Sequence, residues 1–378
     1  MGNRSIGKVK KNYFTFGGKK SDRLLLESGI VFGPITIAYE TYGTLNVKRD
    51  NAILIQHTLT MDSHAAGYYN NSDKKPGWWD NLIGPKKAFD TEKFFIICSN
   101  IIGGCSGSTG PSSNNPDTGK PYGTEFPFIS LSDMIKAQKK LLDFLGIKKL
   151  FSVAGGSMGG MLALQIASDF PEFTASVISI SAAWKQSPMQ IAFSEVARQS
   201  IIRDPNWNNG NYYEKQIPKK GLSLSRMIGH ITYMSEISME EKFSRRLKNK
   251  KFSNSFDIDF EVESYLNYNG NSFVDRFDAN SFLYITRALN YFDVSEDKLI
   301  KNYSDIFPSF LLISFDSDWL YPHSYSEDII HFLMSKGVNT TYAKIKSSYG
   351  HDAFLLEQEK ESGIIKNFLE RICEENEL

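Results

Sequence analysis

The sequence predicts an α/β fold with a mostly parallel central sheet, helices on both faces and an inserted helical cap. Three observations carry this expectation. Apolar strand-like runs alternate with amphipathic helical patterns in the first half of the chain and again near its end. That alternation stops over residues 184–303, where helical segments are separated only by polar loops. Between them lies Leu150-Phe-Ser-Val-Ala-Gly-Gly-Ser-Met-Gly-Gly-Met161, an apolar run that passes through small residues into an Ala/Leu/Ile helix pattern. A βαβ series interrupted by one helical block implies right-handed crossovers in a parallel sheet. The expected core is therefore 1–183 with 304–378, and the expected cap is 184–303.

The elements follow in order. Residues 1–33 are polar around Leu24-Leu-Leu26 and read as an opening strand and hairpin. Residues 35–39 alternate and read as a strand, followed by a turn at Gly43-Thr-Leu-Asn46. Residues 52–56 and 94–98 are apolar enough for strands covered on both faces. Pro76-Gly-Trp-Trp79 belongs to an aromatic loop, and residues 99–127 form a long Gly/Ser/Asn/Pro loop of the kind that is usually functional. Ser132-Asp133 is expected to cap a helix closed by Gly146, and the helix after the 150–154 strand stops near Pro171. A strand at 176–180 precedes the helical block, with helices expected at 189–203, 222–234, 235–247, 262–268 and 281–291. A strand at 310–315, a helix through 329–334, a strand at 341–345 and a helix to about residue 372 complete the chain.

Composition narrows the function. Of 378 residues 41% are hydrophobic, and Lys+Arg and Asp+Glu balance at 43 each. Zero net charge argues against a nucleic-acid or membrane-surface protein, and clusters such as Lys248-Asn-Lys-Lys251 read as solvated faces. Cys98, Cys105 and Cys373 are too few and too scattered for a disulfide framework or a metal site, which suggests a reducing compartment. The N-terminus lacks a secretory apolar core, Ile6 breaks the myristoylation pattern, and no apolar run reaches a membrane span. A soluble, cytoplasmic protein without a metal is expected.

Gly155-Gly-Ser-Met-Gly159 fits G-x-S-x-G, the turn that exposes a serine hydroxyl above a parallel sheet. Small residues flank the serine because so sharp a turn leaves no room for side chains. The following helix points its positive end at charge developing there. The plain alternative for Ser157 is a helix N-cap. A serine nucleophile needs a base oriented by a carboxylate, and in this arrangement the acid and then the histidine follow the serine in sequence. Among six histidines, His351 lies in the loop between the last strand and the last helix, where the base belongs, whereas His57, His64 and His230 precede the acid. Asp318 is favoured as the acid over Asp316, because it lies beyond the strand end; Asp316 would then cap a backbone N–H. The oxyanion hole needs two N–H donors. Met158, after the nucleophile, supplies one, and the loop His57-Thr-Leu-Thr60 supplies the other through Leu59.

The chain resembles the homoserine O-acyltransferases of the α/β-hydrolase superfamily, in their homoserine O-acetyltransferase branch, from about residue 12 to about residue 370. The resemblance rests on Ala38-Tyr-Glu-Thr-Tyr-Gly-Thr-Leu-Asn46, His57-Thr-Leu-Thr60, Pro76-Gly-Trp-Trp-Asp80, Gly103-Gly-Cys-Ser-Gly-Ser-Thr-Gly-Pro111, Gly155-Gly-Ser-Met-Gly-Gly-Met161 and Asp204-Pro-Asn-Trp207. Arg226-Met-Ile-Gly-His-Ile-Thr-Tyr233, Ser317-Asp-Trp-Leu-Tyr-Pro322 and Gly350-His-Asp352 complete it. It implies Ser157 as nucleophile, Asp318 as acid and His351 as base. It also implies Arg226 on the substrate carboxylate, Asp352 on its ammonium, and Tyr233 in the substrate site. Acetyl-CoA as co-substrate with no bound cofactor, L-homoserine as acceptor, a role in methionine biosynthesis and a homodimer through the cap follow as expectations. Leu162, where the family often has Gln, and the stretch Lys242-Phe-Ser-Arg-Arg246 depart from the family pattern and bear on acyl selectivity. A homoserine or serine O-succinyltransferase, an esterase or thioesterase, and a non-catalytic binding protein of the same fold are the alternatives.

Overall fold

The computed structural model describes residues 5–249, 255–303 and 307–375. The first four residues, the basic pair at 250–251 and the core boundary expected at 304 lie outside them. Eight strands form the main sheet: β1 (Asn12–Phe16), β2 (Ile35–Tyr42), β3 (Ala52–Gln56), β4 (Phe95–Ser99), β5 (Ser152–Gly156), β6 (Ser176–Ile180), β7 (Ser309–Phe315) and β8 (Thr340–Ile345). Their spatial order is β1-β2-β4-β3-β5-β6-β7-β8. β1 pairs antiparallel with β2, and β2 antiparallel with β4; every other neighbouring pair is parallel. The mostly parallel sheet expected from the alternation is therefore present, with an antiparallel edge.

The strands are apolar throughout because both faces are covered. In β3 all five residues are buried. Leu54 packs into the core cluster on one face, while Ile53 and Ile55 join the cluster on the other. Helices α1 (Leu131–Phe144), α2 (Met158–Asp169) and α8 (His323–Ser335) cover the first face, and the C-terminal α9 (Gln358–Glu375) covers the second. Each fully buried large apolar side chain contributes about 1.5–3 kcal/mol.

Between β6 and β7 the chain forms α3 (Pro188–Ile202), α4 (Lys219–Tyr233), α5 (Glu236–Phe243), α6 (Glu261–Val274) and α7 (Ala279–Tyr291). Of these, α3, α4, α6 and α7 share an apolar centre of their own around Ile201, Leu222, Phe273 and Phe282.

Local details differ from the sequence reading. The N-cap of α1 is Ser130, not Ser132: its hydroxyl accepts from Asp133 N at 3.1 Å while Asp133 reaches back to Ser130 N. Ser132 instead donates to Asp169 at 2.7 Å, so it ties two helices. The third and fourth cap helices in the sequence reading also shift. The one expected at 262–268 runs to Val274, and the one expected at 235–247 ends at Phe243, with Ser244 at φ 45. A two-stranded pairing of Ile83–Gly84 with Phe89–Asp90 inside the aromatic loop was not expected, since each strand is too short to show a period.

Candidate active site

Ser157 stands between β5 and α2 at φ 57, ψ −125, a conformation that costs a residue with a Cβ about 1–3 kcal/mol. Its surroundings hold it there. Ser157 N donates to Ile180 O at 2.8 Å and Ser157 O accepts from Met161 N at 3.1 Å. A Cβ on Gly159 would lie 2.2 Å from Gln56 O, and one on Gly155 would lie 2.5 Å from Gly159 C. The turn thus requires both glycines. The serine side chain makes no cap hydrogen bond; it is free for the histidine.

His351 lies in a short 3-10 turn after β8, and its Nε2 is 2.9 Å from Ser157 Oγ. Its Nδ1 is 2.8 Å from Asp318 Oδ2. A carboxylate accepts, so Nδ1 carries the proton and Nε2 presents a lone pair to the serine hydroxyl. The other carboxylate oxygen, Asp318 Oδ1, accepts from Leu320 N at 3.0 Å and Tyr321 N at 2.9 Å. Asp318 and His351 are both 3% exposed, and the ring is walled by Tyr321, Phe354 and Tyr233. Asp316 turns away: its Oδ1 accepts from Ser347 N at 2.9 Å.

Two cavities meet at Ser157. One, about 730 Å³ including its open mouth, is lined by Gln186, Phe193, Met158, Leu320 and Tyr321 among others. The second, about 390 Å³, is lined by Thr60, His351 and Asp352. Ser157, Leu59, Arg226 and Tyr233 line both. All eight residues singled out from the sequence are therefore brought to one place.

Arg226 comes from α4. Its guanidinium lies 5.6 Å over the Tyr233 ring and 5.0 Å over Phe273, and Nη1 donates to Thr60 Oγ1 at 3.3 Å. No described carboxylate forms an ion pair with it. Asp352 likewise has no described hydrogen-bond donor on its carboxylate. Burial pushes its pKa up, and the charges of His351, Arg226 and Lys242 pull it back. Burial also raises the Tyr233 phenol. The site thus holds a cation and a carboxyl group, each without a described protein counter-ion in contact, around the cavity that Ser157 also lines.

Several neighbours escaped the sequence reading. Arg276, between α6 and α7, donates to Thr60 O at 3.0 Å and stacks on Phe273. His230 is held neutral, its pKa lowered to about 3 by burial and by Arg226, Lys242 and Arg276; its Nδ1 meets Tyr265 Oη at 3.0 Å. The cap also presses on the turn that bears His351. A Cβ on Gly350, at φ 67, would lie 2.5 Å from Ser235 N, and Trp319 Nε1 donates to Met234 O at 2.9 Å. Only the Arg226–Tyr233 stretch hinted at these contacts. Leu162 is buried in the core and lines neither cavity, and Gln165 binds Asp169 at 2.9 Å. Among the described residues no group of three or more His, Cys, Asp or Glu could hold a metal ion.

Comparison with known proteins places the chain. A model of the alpha/beta hydrolase fold family matches residues 51–358. The curated homoserine O-acetyltransferase of Deferribacter desulfuricans is 52% identical over 380 residues, covering 98% of each chain. The chain belongs to the homoserine O-acetyltransferase family. The solved homoserine O-acetyltransferase from Bacillus anthracis superposes with a TM-score of 0.87 at 31% identity, covering 96% of this chain and 98% of that one. A solved esterase, E22, superposes equally well, also at 0.87 and 31%, covering 96% of this chain and all of the other (100%). A homoserine O-acetyltransferase and an esterase thus superpose on this chain equally well.

Proposed function

We propose that this chain transfers an acetyl group from acetyl-CoA to the hydroxyl of L-homoserine, a step of methionine biosynthesis. The observation that carries the reading is Arg226 and Asp352 lining the cavity that also holds Ser157 and His351. A free amino acid needs one cation and one anion as anchors, and a guanidinium offers a carboxylate a bidentate fork. A plain esterase needs neither.

The mechanism is ping-pong. His351 Nε2 takes the Ser157 proton as Oγ attacks the thioester carbonyl, and the N–H groups of Leu59 and Met158 hold the oxyanion. The C–S bond breaks, and the thiolate leaves with the proton from His351 as CoA-SH. Homoserine then enters between Arg226 and Asp352, with Tyr233 beside it. His351 takes the proton of its hydroxyl, which attacks the acetyl-serine carbonyl; the bond from that carbon to Ser157 Oγ breaks, and His351 returns the proton to Oγ. Asp318 keeps the ring in one tautomer and stabilises the imidazolium. Acetyl-CoA is a substrate here, and no resident cofactor is required. Water must be excluded between the half-reactions, which gives the segment 184–303 its role as a lid.

A homodimer through the cap and a cytoplasmic location complete the reading. The cap carries exposed apolar residues that such an interface would cover: Met189, Val196, Leu224, Ile231 and Ile237. Among the described residues no helix is long and apolar enough to cross a membrane. The match to esterase E22 favours hydrolysis as the second reading, and succinyl-CoA is the alternative donor.

The test is thiol release from acetyl-CoA and, separately, succinyl-CoA, each with L-homoserine, L-serine or no acceptor, in wild type and Ser157→Ala. Release that needs homoserine and falls by about 10⁴-fold or more in the variant is expected. Equal release without any acceptor would make the protein a thioesterase and remove the proposed role of Arg226 and Asp352.

A further inference from the structure

His57 ends β3's run into the loop that contains Leu59, and it is buried at 2% exposure. Both ring nitrogens are engaged by backbone. Nε2 lies 3.1 Å from Ile101 N, and Nδ1 lies 2.7 Å from Thr58 O. An amide N–H can only donate, so Nε2 holds a lone pair; a carbonyl can only accept, so Nδ1 carries the hydrogen. One neutral tautomer satisfies both contacts. Burial lowers the pKa of the ring, outweighing its bond to Thr58 and the charge of Asp62, which agrees with that neutral form.

The carbonyl that His57 grips belongs to the Thr58–Leu59 peptide. In a planar trans peptide the C=O and the N–H point in opposite directions. Met61 N also donates to Thr58 O, at 3.2 Å, closing a turn over residues 58–61. With its carbonyl drawn inward by two donors, this peptide must direct Leu59 N–H the other way. No acceptor among the described residues takes that N–H, and Leu59 lines both cavities at Ser157. The loop also abuts the elbow directly: a Cβ on Gly159 would lie 3.2 Å from His57 O. Rotation of this one peptide would exchange N–H for C=O and set a carbonyl oxygen against the developing oxyanion.

We propose that His57 is a positioning residue of the oxyanion hole, which fixes the direction of the Leu59 N–H through the Thr58 carbonyl. The proposal rests on the reading of Leu59 as an oxyanion donor. It separates two roles that a substitution series can divide. Asn places an amide N–H₂ near the position of Nδ1 and loses the contact to Ile101, whereas Gln reaches the position of Nε2 and loses the grip on Thr58.

The measurement is the p-nitrophenolate burst from p-nitrophenyl acetate, which needs neither CoA nor homoserine. It is made in wild type, Ser157→Ala, His57→Asn and His57→Gln, with Tm and the homoserine KM measured alongside. His57→Gln is expected to lower the burst rate by about 10–100-fold with KM within about twofold, and His57→Asn to retain at least about a third of the rate. A His57→Gln rate within about twofold of wild type, or equal losses in both variants that track their Tm, overturns the proposal. Absence of any Ser157-dependent burst in wild type overturns the nucleophile reading itself, and this inference with it. ¹⁵N NMR of the wild-type ring is a second check that no variant can confound. The Nδ1–H tautomer is expected, and an Nε2–H tautomer would sink the idea.

Discussion

At the scale of single residues, the site pairs a cation and a carboxyl group that no described protein counter-ion touches. Elsewhere a part-buried cation can meet an opposite charge, as Lys87 does with Asp80 at 3.1 Å. Arg226 instead rests on two aromatic rings, and Asp352 is driven toward its neutral form by burial. On the proposed function, both gain an ionic partner when the zwitterionic acceptor fills the cavity. Replacing Arg226 by Gln is therefore expected to raise the homoserine KM by about 10–100-fold, and Asp352→Asn by about 10-fold, because a lost charge-assisted contact is worth about 1.5–3 kcal/mol. Steady-state kinetics with varied homoserine check this, with the p-nitrophenyl acetate burst as control. A burst that collapses while KM holds would assign both residues to the chemistry instead. That Ser157, Asp318 and His351 would be brought together was legible in sequence, because their order and loop positions are local properties. Arg276 and the grip of His57 on Thr58 were not, since neither leaves a spacing signature.

At the scale of elements, the cap helices show two faces of opposite use. Inward, α4 delivers Arg226 and Tyr233 to the site, and its C-terminal end touches the turn that bears His351. Outward, Met189 and Val196 on α3 and Leu224 and Ile231 on α4 recur at seven-residue spacing, and Val196 is 57% exposed. An apolar stripe at this period suits a helix-on-helix contact. On the proposed homodimer, Val196→Glu with Leu224→Glu yields a monomer in sedimentation velocity without unfolding by circular dichroism. A wild type that already sediments as a monomer would end the dimer reading. Sequence periodicity located these helices well in the middle and poorly at their ends, because caps depend on single contacts. Ser130, rather than Ser132, caps α1 because it places its hydroxyl on Asp133 N.

For the molecule as a whole, one buried group works against stability. Glu361 on α9 is 0% exposed, and neither carboxyl oxygen has a partner among the described residues. Burial first, and then the charge of Glu357, push its pKa well above 4.5. The folded state therefore holds a proton that the unfolded state releases above that value, and stability is lost as pH rises from about 4.5 toward the folded pKa. Glu361→Leu is expected to raise Tm by about 2–6 °C at pH 8, with a smaller gain at pH 5. Calorimetry at both values decides it. A gain independent of pH would mean that Glu361 is not protonated on folding.

The sequence by itself determined the sheet, the interrupted alternation and the identity of the turn at Ser157. Each is written in short-range periodicity and in glycines that steric contact makes obligatory, such as Gly159 against Gln56. Tertiary structure supplied the contacts that separate two carboxylates only two residues apart: Asp318 meets His351, whereas Asp316 accepts from Ser347 N. It also decided that Arg226 and Arg276 converge on Thr60 from different helical segments, and that His57 grips a backbone carbonyl. Such contacts join residues far apart in the chain through directional hydrogen bonds, and direction is a property that only the folded backbone possesses.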